Sequence, residues 1–492
     1  MRKSGILLPI ASLPTKYGIG GFSKEAYEFV DWVKKTGCRY WQILPLGPTG
    51  YGDSPYQSIS TFAGNPYFID LDELIEDGLI EKADCENVDY GGDKRYIDYG
   101  KIYNTRLKIL RKAFENSDLG KDEEYKAFCK KNAYWLDDYA LFISLKNGHN
   151  GACWADWEED IKTRKPAALK EAKEKYAEDI NFYRFNQFIF NRQWKKLKSY
   201  ANENGIEIIG DIPIYVAFDS ADAWANQKLF EFDELGNPTE VAGCPPDGFS
   251  ADGQLWGNPI YNWSYHKRTS YKWWISRVSH SFELYDVVRI DHFRGFDEFY
   301  AIPAGESTAK NGKWKKGPGM LLFNAIKEAL GDKPIIAEDL GFLTDSVREM
   351  LAESGFPGMK VLQFAFYPYD PSIYLPHNHI ENCVVYTGTH DNDTTKGWFT
   401  SLRDDEKAYI AEYMGCGSIN PNDVSWMMIK AAFRSVANLC VVPMQDFLNC
   451  GSEARLNAPS TFGNNWRWRI LDNECTPELA EKIARLNRLY QR

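Results

Sequence analysis

The stretch "YDVVRID", residues 285–291, is an apolar run that ends on a carboxylate. Its β-branched residues favour a strand, and an almost wholly apolar run is typical of a parallel strand buried on both faces. Seven further runs are of this kind: "GILLPI" (5–10), "YWQILPL" (40–46), "IEIIGDI" (206–212), "PIIAED" (334–339), "MKVLQF" (359–364), "CVVYTGT" (383–389) and "LCVVPMQ" (439–445). Together they predict a parallel sheet.

Helical patterns separate most of these predicted strands. "SKEAYEFVDWVKKTG" (23–37) begins with a possible cap, Ser23, and ends at Gly37, while "GMLLFNAIKEALG" (319–331) and "TDSVREMLAESG" (344–355) are of similar length. Regular alternation of strand and helix predicts an α/β protein of the (β/α)8 TIM-barrel class. A doubly wound open sheet is the alternative, although no G-x-G-x-x-G follows the first predicted strand.

The spacing of the runs predicts one catalytic barrel over 1–492 with two insertions. Residues 70–180 are charged and helical in pattern, which predicts a mainly helical insertion. Residues 217–284 are rich in Gly, Pro and Trp and predict an insertion that bears a lid, because segments of this length in compact proteins are usually functional or folded. No low-complexity linker separates either insertion from the rest.

Composition excludes several classes of function. The net charge of −11 without a Lys/Arg stripe argues against a nucleic-acid surface. No apolar run is long enough to cross a bilayer, and the apolar start that includes Pro9 predicts a buried strand rather than a signal peptide. Ten scattered cysteines without paired spacing favour a reducing compartment, so a cytoplasmic location is expected.

Carboxylates recur at the carboxyl ends of the predicted strands, where barrel enzymes place their active sites. These are Asp211, Asp291, Glu338, Asp391 and Asp446. A strand-end aspartate often only caps the next turn. Several at one mouth, however, must share protons or be offset by cations.

Two of these acids have sequence neighbours that predict opposite protonation. Arg289 points to the same side of its strand as Asp291, which predicts a lowered pKa for that aspartate. Glu338 follows apolar residues and precedes another acid, which predicts a raised pKa. Such a pair suits glycoside chemistry with a nucleophile and an acid/base, while Asp391 and His390 could bind sugar hydroxyls.

Two loops are predicted to reach the same mouth. "GCPPDGFSADGQLWGNPIYNW" (243–263) is interpreted as a lid that presents Phe249 and Trp256 to a bound chain, or alternatively as a segment packed on its own insertion. "TGYGDSPYQ" (49–57) follows the second strand and brings Ser54 and Tyr56 there.

Long motifs in order along nearly the whole chain resemble the amylomaltase or 4-α-glucanotransferase family, a relative of the α-amylase clan. They are "GILLPIASLPTKYGIG", "WQILPLGPTGYGDSPYQ", "GDIPIYVAFDSADAWAN", "GCPPDGFSADGQLWGNP", "VVRIDHFRGF", "AEDLG", "YTGTHDNDT", "QDFLNCGSEARLNAP" and "NNWRWR". The resemblance implies a barrel without a carboxyl-terminal β-domain. It also implies that Asp291 is the nucleophile, Glu338 the acid/base and Asp391 the transition-state stabiliser.

The resemblance further implies a set of substrate-binding residues. The residues that would hold the sugar under attack are Tyr56, Asp211, Arg289 and His390, and those on the lid near the acceptor are Asp247, Phe249, Gln254 and Trp256. Ser54 and Asn464 are predicted to bind substrate as well. Two positions depart from the family pattern: Gly248 stands where many relatives have Tyr, and Ser460 where Gly is frequent.

The predicted function is transfer of α-1,4-glucan segments between maltodextrins by a retaining double displacement, without a cofactor or metal ion. The expected partners are maltooligosaccharides and starch or glycogen segments, with no nucleic acid and no membrane, and the protein is expected to be a monomer or homodimer. An α-amylase-type retaining hydrolase is the nearest alternative. An enolase-like lyase with Mg²⁺ at strand-end carboxylates and a non-catalytic carbohydrate-binding protein are alternatives from other classes.

Overall fold

The computed structural model describes residues 2–50, 52–246, 251–341, 343–461 and 463–492. Its strands, numbered along the chain, are β1 (Lys3–Leu7), β2 (Tyr40–Gln42), β3 (Glu207–Pro213), β4 (Glu240–Cys244), β5 (Gln254–Pro259), β6 (Val287–Asp291), β7 (Glu298–Pro303), β8 (Lys313–Lys316), β9 (Ile335–Ala337), β10 (Gly358–Val361), β11 (Cys383–Tyr386) and β12 (Leu439–Pro443). They form two sheets.

Eight parallel strands of the described chain form the main sheet, in the order β10-β11-β12-β1-β2-β3-β6-β9. This is the sequence order read around a circle, in which β1 pairs with β12 from Lys3 opposite Leu439 to Leu7 opposite Pro443. The two strands at the ends of this order, β9 and β10, are also joined: the backbone N–H of Ala337 in β9 donates to the carbonyl of Pro357, just before β10, at 3.0 Å. This bond completes the ring. The predicted TIM barrel is thereby confirmed.

The barrel strands form because their side chains are buried on both faces. β11 is buried at every position, and β1 is buried from Ser4 to Leu7. Each predicted run contains one observed strand, but several strands end two to four residues early. β2, for example, ends at Gln42, and the chain then enters a loop that contains Pro45 and Gly47.

The helices, numbered in the same way, lie around and above the barrel. They are α1 (Lys24–Thr36), α2 (Leu71–Glu76), α3 (Lys82–Glu86), α4 (Tyr99–Glu115), α5 (Glu123–Gly148), α6 (Glu159–Lys162), α7 (Pro166–Lys175), α8 (Ala177–Glu203), α9 (Ala221–Ala225), α10 (Trp263–Arg268), α11 (Lys272–Leu284), α12 (Met320–Leu330), α13 (Asp345–Ser354), α14 (Thr395–Ser401), α15 (Asp404–Tyr413), α16 (Val424–Arg434), α17 (Met444–Phe447) and α18 (Pro477–Tyr490). None of the described helices combines the length and apolarity that crossing a bilayer requires.

The three helices predicted from capping signals are present. α1 begins after Ser23 and ends at Gly37, which adopts φ 76°, a conformation that costs little only for glycine. The Ser23 side chain forms no cap bond, because its hydroxyl donates to Glu25 instead. At the start of α13, the Thr344 hydroxyl accepts from the Val347 N–H at 3.4 Å, as an N-cap does.

A second, antiparallel sheet includes part of the region predicted to form a lid, in the order β5-β4-β7-β8. This sheet is not predictable from sequence pattern, because its strands are short, contain Gly and Pro, or, in β8, have only exposed residues. β7 and β8 also lie beyond residue 284, where the predicted insertion ended. The division of the chain into a barrel and two inserted units stays a prediction.

Candidate active site

Asp291 and Glu338 lie side by side at the mouth of the barrel. Ile290 in β6 is paired with Ala337 in the neighbouring strand β9. The residue after Ile290 is Asp291, and the residue after Ala337 is Glu338. The Glu338 N–H donates to the Ile290 carbonyl at 3.0 Å, which continues the pairing. Adjacent strands are about 4.8 Å apart, so the backbones of the two acids are separated by one strand spacing.

Arg289 connects Asp291 to a second carboxylate. Its guanidinium lies 3.0 Å from Asp291 Oδ1 and 2.6 Å from Asp211 Oδ2. The arrangement follows from the sheet, because residues 289 and 291 point the same way and Asp211 is paired with Arg289 across β3 and β6. Arg289 and Asp211 are both buried, which makes this ion pair far less screened than a surface pair.

The predicted lowering of the Asp291 pKa is wrong. Burial raises the pKa of this carboxyl to about 6, with a further increase from Asp211 and Asp391, and Arg289 only partly offsets them. The sequence showed the cation but not the degree of burial, and desolvation outweighs one guanidinium that is shared with Asp211. Arg289 therefore limits the cost of the Asp291 charge rather than removing it.

Glu338 has the raised pKa that its sequence context predicts. Burial and the neighbouring Asp291 raise its pKa to about 7. Its two oxygens accept the backbone N–H groups of His292 at 2.7 Å and Leu340 at 2.8 Å, bonds that favour the ionised form but do not outweigh burial. These bonds also fix the carboxyl group beside Asp291.

Asp391 is the strongly ionised acid of the site. Burial disfavours its charge, but His390 and the Asn457 amide reverse that effect and lower the pKa of Asp391 to about 2. His390 Nε2 lies 3.3 Å from Asp391 Oδ2, and Asn457 Nδ2 donates to Oδ1 at 2.6 Å. The Asp391 side chain is 46% exposed, so its burial is only partial. No sequence pattern marks Asn457 as a site residue, since only contact in the fold connects it to Asp391.

Tyr56 forms a flat aromatic surface in the same site. Its hydroxyl donates to Asp211 Oδ2 at 2.9 Å, and its ring stacks on His390 with centroids 4.9 Å apart and planes 16° apart. The buried ring of Trp466 packs on both Tyr56 and His390. This second residue missed from the sequence fixes the orientation of the surface.

The lid strand β5 reaches the residue that follows Asp291. The Trp256 ring meets the His292 ring edge to face at 4.9 Å, and Trp256 Nε1 donates to Gln254 Oε1 at 3.0 Å. Burial and the nearby Arg294 lower the pKa of His292 to about 3, so it is neutral and adds no charge to Asp291. Asp247, Gly248 and Phe249 lie outside the described residues.

Three other predicted residues bond to groups other than Asp291, Glu338 and Asp391. The Ser54 hydroxyl accepts from the Tyr56 N–H at 3.3 Å and shapes that loop, and the exposed Asn464 accepts from Arg467 at 3.4 Å. Asp446 is buried and bonded to Thr387 and Thr395, so it holds the loop before α14 instead of facing the mouth. Arg294 lies over the Trp314 ring at 4.1 Å.

The departure at Ser460 has a visible backbone consequence. This residue adopts φ 63°, in the left-handed region that glycine favours. The serine therefore keeps the conformation that a glycine would adopt, at the cost of some strain.

Comparison with known proteins matches this geometry to one family. Residues 8–474 match the family described as 4-alpha-glucanotransferase. The 4-alpha-glucanotransferase of Clostridium butyricum is 52% identical over 98% of this chain and 99% of its own, and that of Thermus thermophilus is 46% identical over 100% and 99%. The structure of an amylomaltase from Streptococcus agalactiae in complex with acarbose superimposes with a TM-score of 0.96 at 41% identity, covering 100% of both chains.

Proposed function

This chain belongs to the 4-alpha-glucanotransferase family, and we propose that Asp291, Glu338 and Asp391 carry its retaining double displacement on α-1,4-glucans. The observation that carries these roles is the pairing of Asp291 with Glu338 on adjacent strands in different hydrogen-bonding environments. The acarbose complex of the Streptococcus agalactiae relative supports α-glucan substrates.

In the first step, Asp291 attacks the anomeric carbon of the donor while Glu338 gives its proton to the leaving sugar oxygen. The glycosidic bond breaks as the Asp291 ester forms. Arg289 keeps the attacking oxygen of Asp291 available, because it stabilises the ionised form. The raised pKa of Glu338 keeps a proton on this acid near neutral pH, as a general acid requires.

In the second step, the 4-hydroxyl of an acceptor glucan attacks the ester and Glu338 takes its proton. A second inversion at the same carbon restores the original configuration. We propose that Asp391 and His390 bind neighbouring hydroxyls of the distorted sugar and that Tyr56 supports its ring face. The contacts between His390, Asp391 and Tyr56 support this placement.

Transfer instead of hydrolysis requires the acceptor to outcompete water. Trp256 lies against His292, next to the nucleophile, and would cover the sugar from the lid side. A covered site excludes water and binds an acceptor sugar through aromatic contact. This role of the lid separates the proposal from an α-amylase-type hydrolase, which would have the same acid pair.

Incubation with maltotriose tests the function. A transferase converts it into glucose and longer maltooligosaccharides at equal molar rates, whereas a hydrolase yields glucose and maltose without longer products. Asp291→Asn should abolish both reactions, with a loss in kcat of about 10³-fold or more. Full turnover by Asp291→Asn would contradict the assignment.

Activity that persists with a chelator would exclude the Mg²⁺-dependent lyase, whose metal site the Arg289–Asp291 pair already disfavours.

We also propose a cellular location and natural substrates for this enzyme. Ten scattered cysteines without paired spacing support a cytoplasmic enzyme of carbohydrate metabolism. We propose maltooligosaccharides and the outer segments of starch or glycogen as its substrates.

A further inference from the structure

The loop between β10 and β11 exposes two tyrosine rings next to each other. Tyr367 is 44% exposed and Tyr369 is 65% exposed, and their ring centroids are 5.4 Å apart with planes at 73°. Single exposed aromatic residues are common on protein surfaces, but two adjacent ones form an apolar patch. The pair has no role in the proposed reaction.

Two charged side chains hold this pair in place. The Tyr369 hydroxyl donates to Asp405 Oδ2 at 2.5 Å, and Arg403 donates to both oxygens of Asp405 at 3.1 and 3.4 Å. The Arg403 guanidinium also lies 5.9 Å from the Tyr367 ring centroid. These four residues, the surface tyrosine cluster, form a closed cycle of contacts. Their rings are thereby ordered at the surface, which lowers the entropy lost when a ligand binds.

Both chain segments of the cluster begin at the barrel mouth. The loop that carries the tyrosines leaves the carboxyl end of β10, where Gln363 Nε2 donates to the Asp393 carbonyl at 2.8 Å, two residues after Asp391. Arg403 and Asp405 follow α14, which starts immediately after the same catalytic loop. The exposed Phe364 lies in the loop between β10 and Tyr367. The surface tyrosine cluster is therefore connected along the chain to the rim of the catalytic cleft.

We propose that the surface tyrosine cluster binds a long α-1,4-glucan chain outside the catalytic cleft. Tyrosine faces pack against the apolar faces of glucose rings, while Arg403 and Asp405 supply a donor and an acceptor for the equatorial hydroxyls. The cluster is small and electrically balanced, which suits a neutral polymer with alternating apolar and hydroxyl surfaces. The identity of the occupant rests on the proposed function, and the site would retain long donors near the cleft.

The double variant Tyr367→Ala/Tyr369→Ala tests the site in the intact enzyme. Its KM for amylose, with glucose as acceptor, should rise about fivefold from the loss of two stacking contacts, with kcat unchanged. Its KM for maltotriose should stay within about twofold of wild type, because a site outside the cleft adds to the binding of long chains only. Tyr134→Ala, a change of a tyrosine on α5 that is 55% exposed, should leave both constants unchanged.

Two results would overturn the site. An unchanged KM for amylose would show that the rings bind no glucan, and an equal rise for amylose and maltotriose would place their effect in the catalytic cleft. Tyr367→Phe keeps both rings and the bond of Tyr369 to Asp405, and should retain the wild-type KM for amylose. Failure of the proposed function is separable from these results, because it would appear as absent maltotriose disproportionation in the wild-type enzyme.

Discussion

Asp291, the proposed nucleophile, needs a negative charge in surroundings that disfavour it. Its side chain is only 29% exposed, and its pKa is raised to about 6 by burial, which Arg289 does not fully offset. A carboxyl whose folded-state pKa is raised binds its proton more tightly in the native state than in the unfolded state. The charge therefore destabilises the fold as pH rises from the unfolded pKa near 4 to above 6.

Asp291→Asn should stabilise the protein at alkaline pH while abolishing activity. The amide keeps an oxygen for Arg289 but carries no charge, so the gain should be near zero at pH 4 and about 1–2 kcal/mol at pH 8. Thermal unfolding followed by circular dichroism at both pH values measures this difference. Asp370→Asn is the control at an exposed acid. A larger gain at pH 4 than at pH 8 would contradict the burial argument.

Asn457 determines how readily Asp391 ionises. Its amide donates to Asp391 Oδ1 at 2.6 Å and contributes to the low pKa of about 2. Asn457→Ala removes this bond, so the pKa of Asp391 should rise. Asp391 should nevertheless remain ionised at pH 5, so the acidic limb of the profile of kcat/KM against pH should stay where Asp291 sets it. The value of kcat/KM should instead fall about tenfold at pH 5 and pH 7 alike, because Asp391 loses the bond that orients it.

The control for Asn457→Ala is Asn464→Ala, because Asn464 is exposed and bonds to Arg467 rather than to a carboxylate. An equal loss of kcat/KM in both variants would disconnect Asn457 from Asp391. The contrast between the two asparagines also shows what the sequence could predict. The strand-end acids are predictable because each follows an apolar run that indicates a strand. Asn457, in contrast, contacts Asp391 through the folding of a loop, which no local sequence pattern encodes.

At the scale of elements, the barrel strands were predictable and the lid sheet was not. β11 and β12 are almost wholly buried runs that only a two-sided sheet accommodates. β8 is exposed at all four positions, and β4 and β5 are joined by an irregular register. Their pairing depends on long-range contacts, so residue pattern alone does not indicate strands there.

The lid strand β5 permits a matched test of transfer against hydrolysis. Successive side chains of a strand point to opposite faces, so Trp256 faces His292 while the exposed Leu255 faces away. Trp256→Ala should raise the ratio of hydrolysis to transfer about tenfold, because water gains access as acceptor binding weakens. Leu255→Ala should leave the ratio unchanged. Comparing reducing-end release with glucose release on maltotriose measures it, and an unchanged ratio in Trp256→Ala would remove the lid from the mechanism.

At the scale of the whole molecule, the barrel closes through its first and last strands. β1 is paired with both β2 and β12, so the start of the chain lies between segments far apart in sequence. The alternation of strands and helices predicts this closure, because eight parallel strands with their crossovers return to the starting edge. The residues that secure it were not predictable, since they act through backbone carbonyls that no side-chain pattern marks.

Arg492 secures this closure from beyond α18. Its guanidinium donates to the carbonyls of Lys3, Ala437 and Ser435 at 3.1, 2.9 and 2.8 Å, and to those of Phe433 and Ala432 at 2.8 and 3.3 Å. It therefore joins the start of β1 to the turn that precedes β12.

Arg492→Ala should lower the free energy of unfolding by about 2–3 kcal/mol, because it leaves part-buried carbonyls unsatisfied. Urea denaturation measures the change against Arg488→Ala, an exposed arginine of α18 paired with Glu481, which should cost less than about 0.5 kcal/mol. Equal losses in the two variants would show that the barrel seam does not depend on this residue.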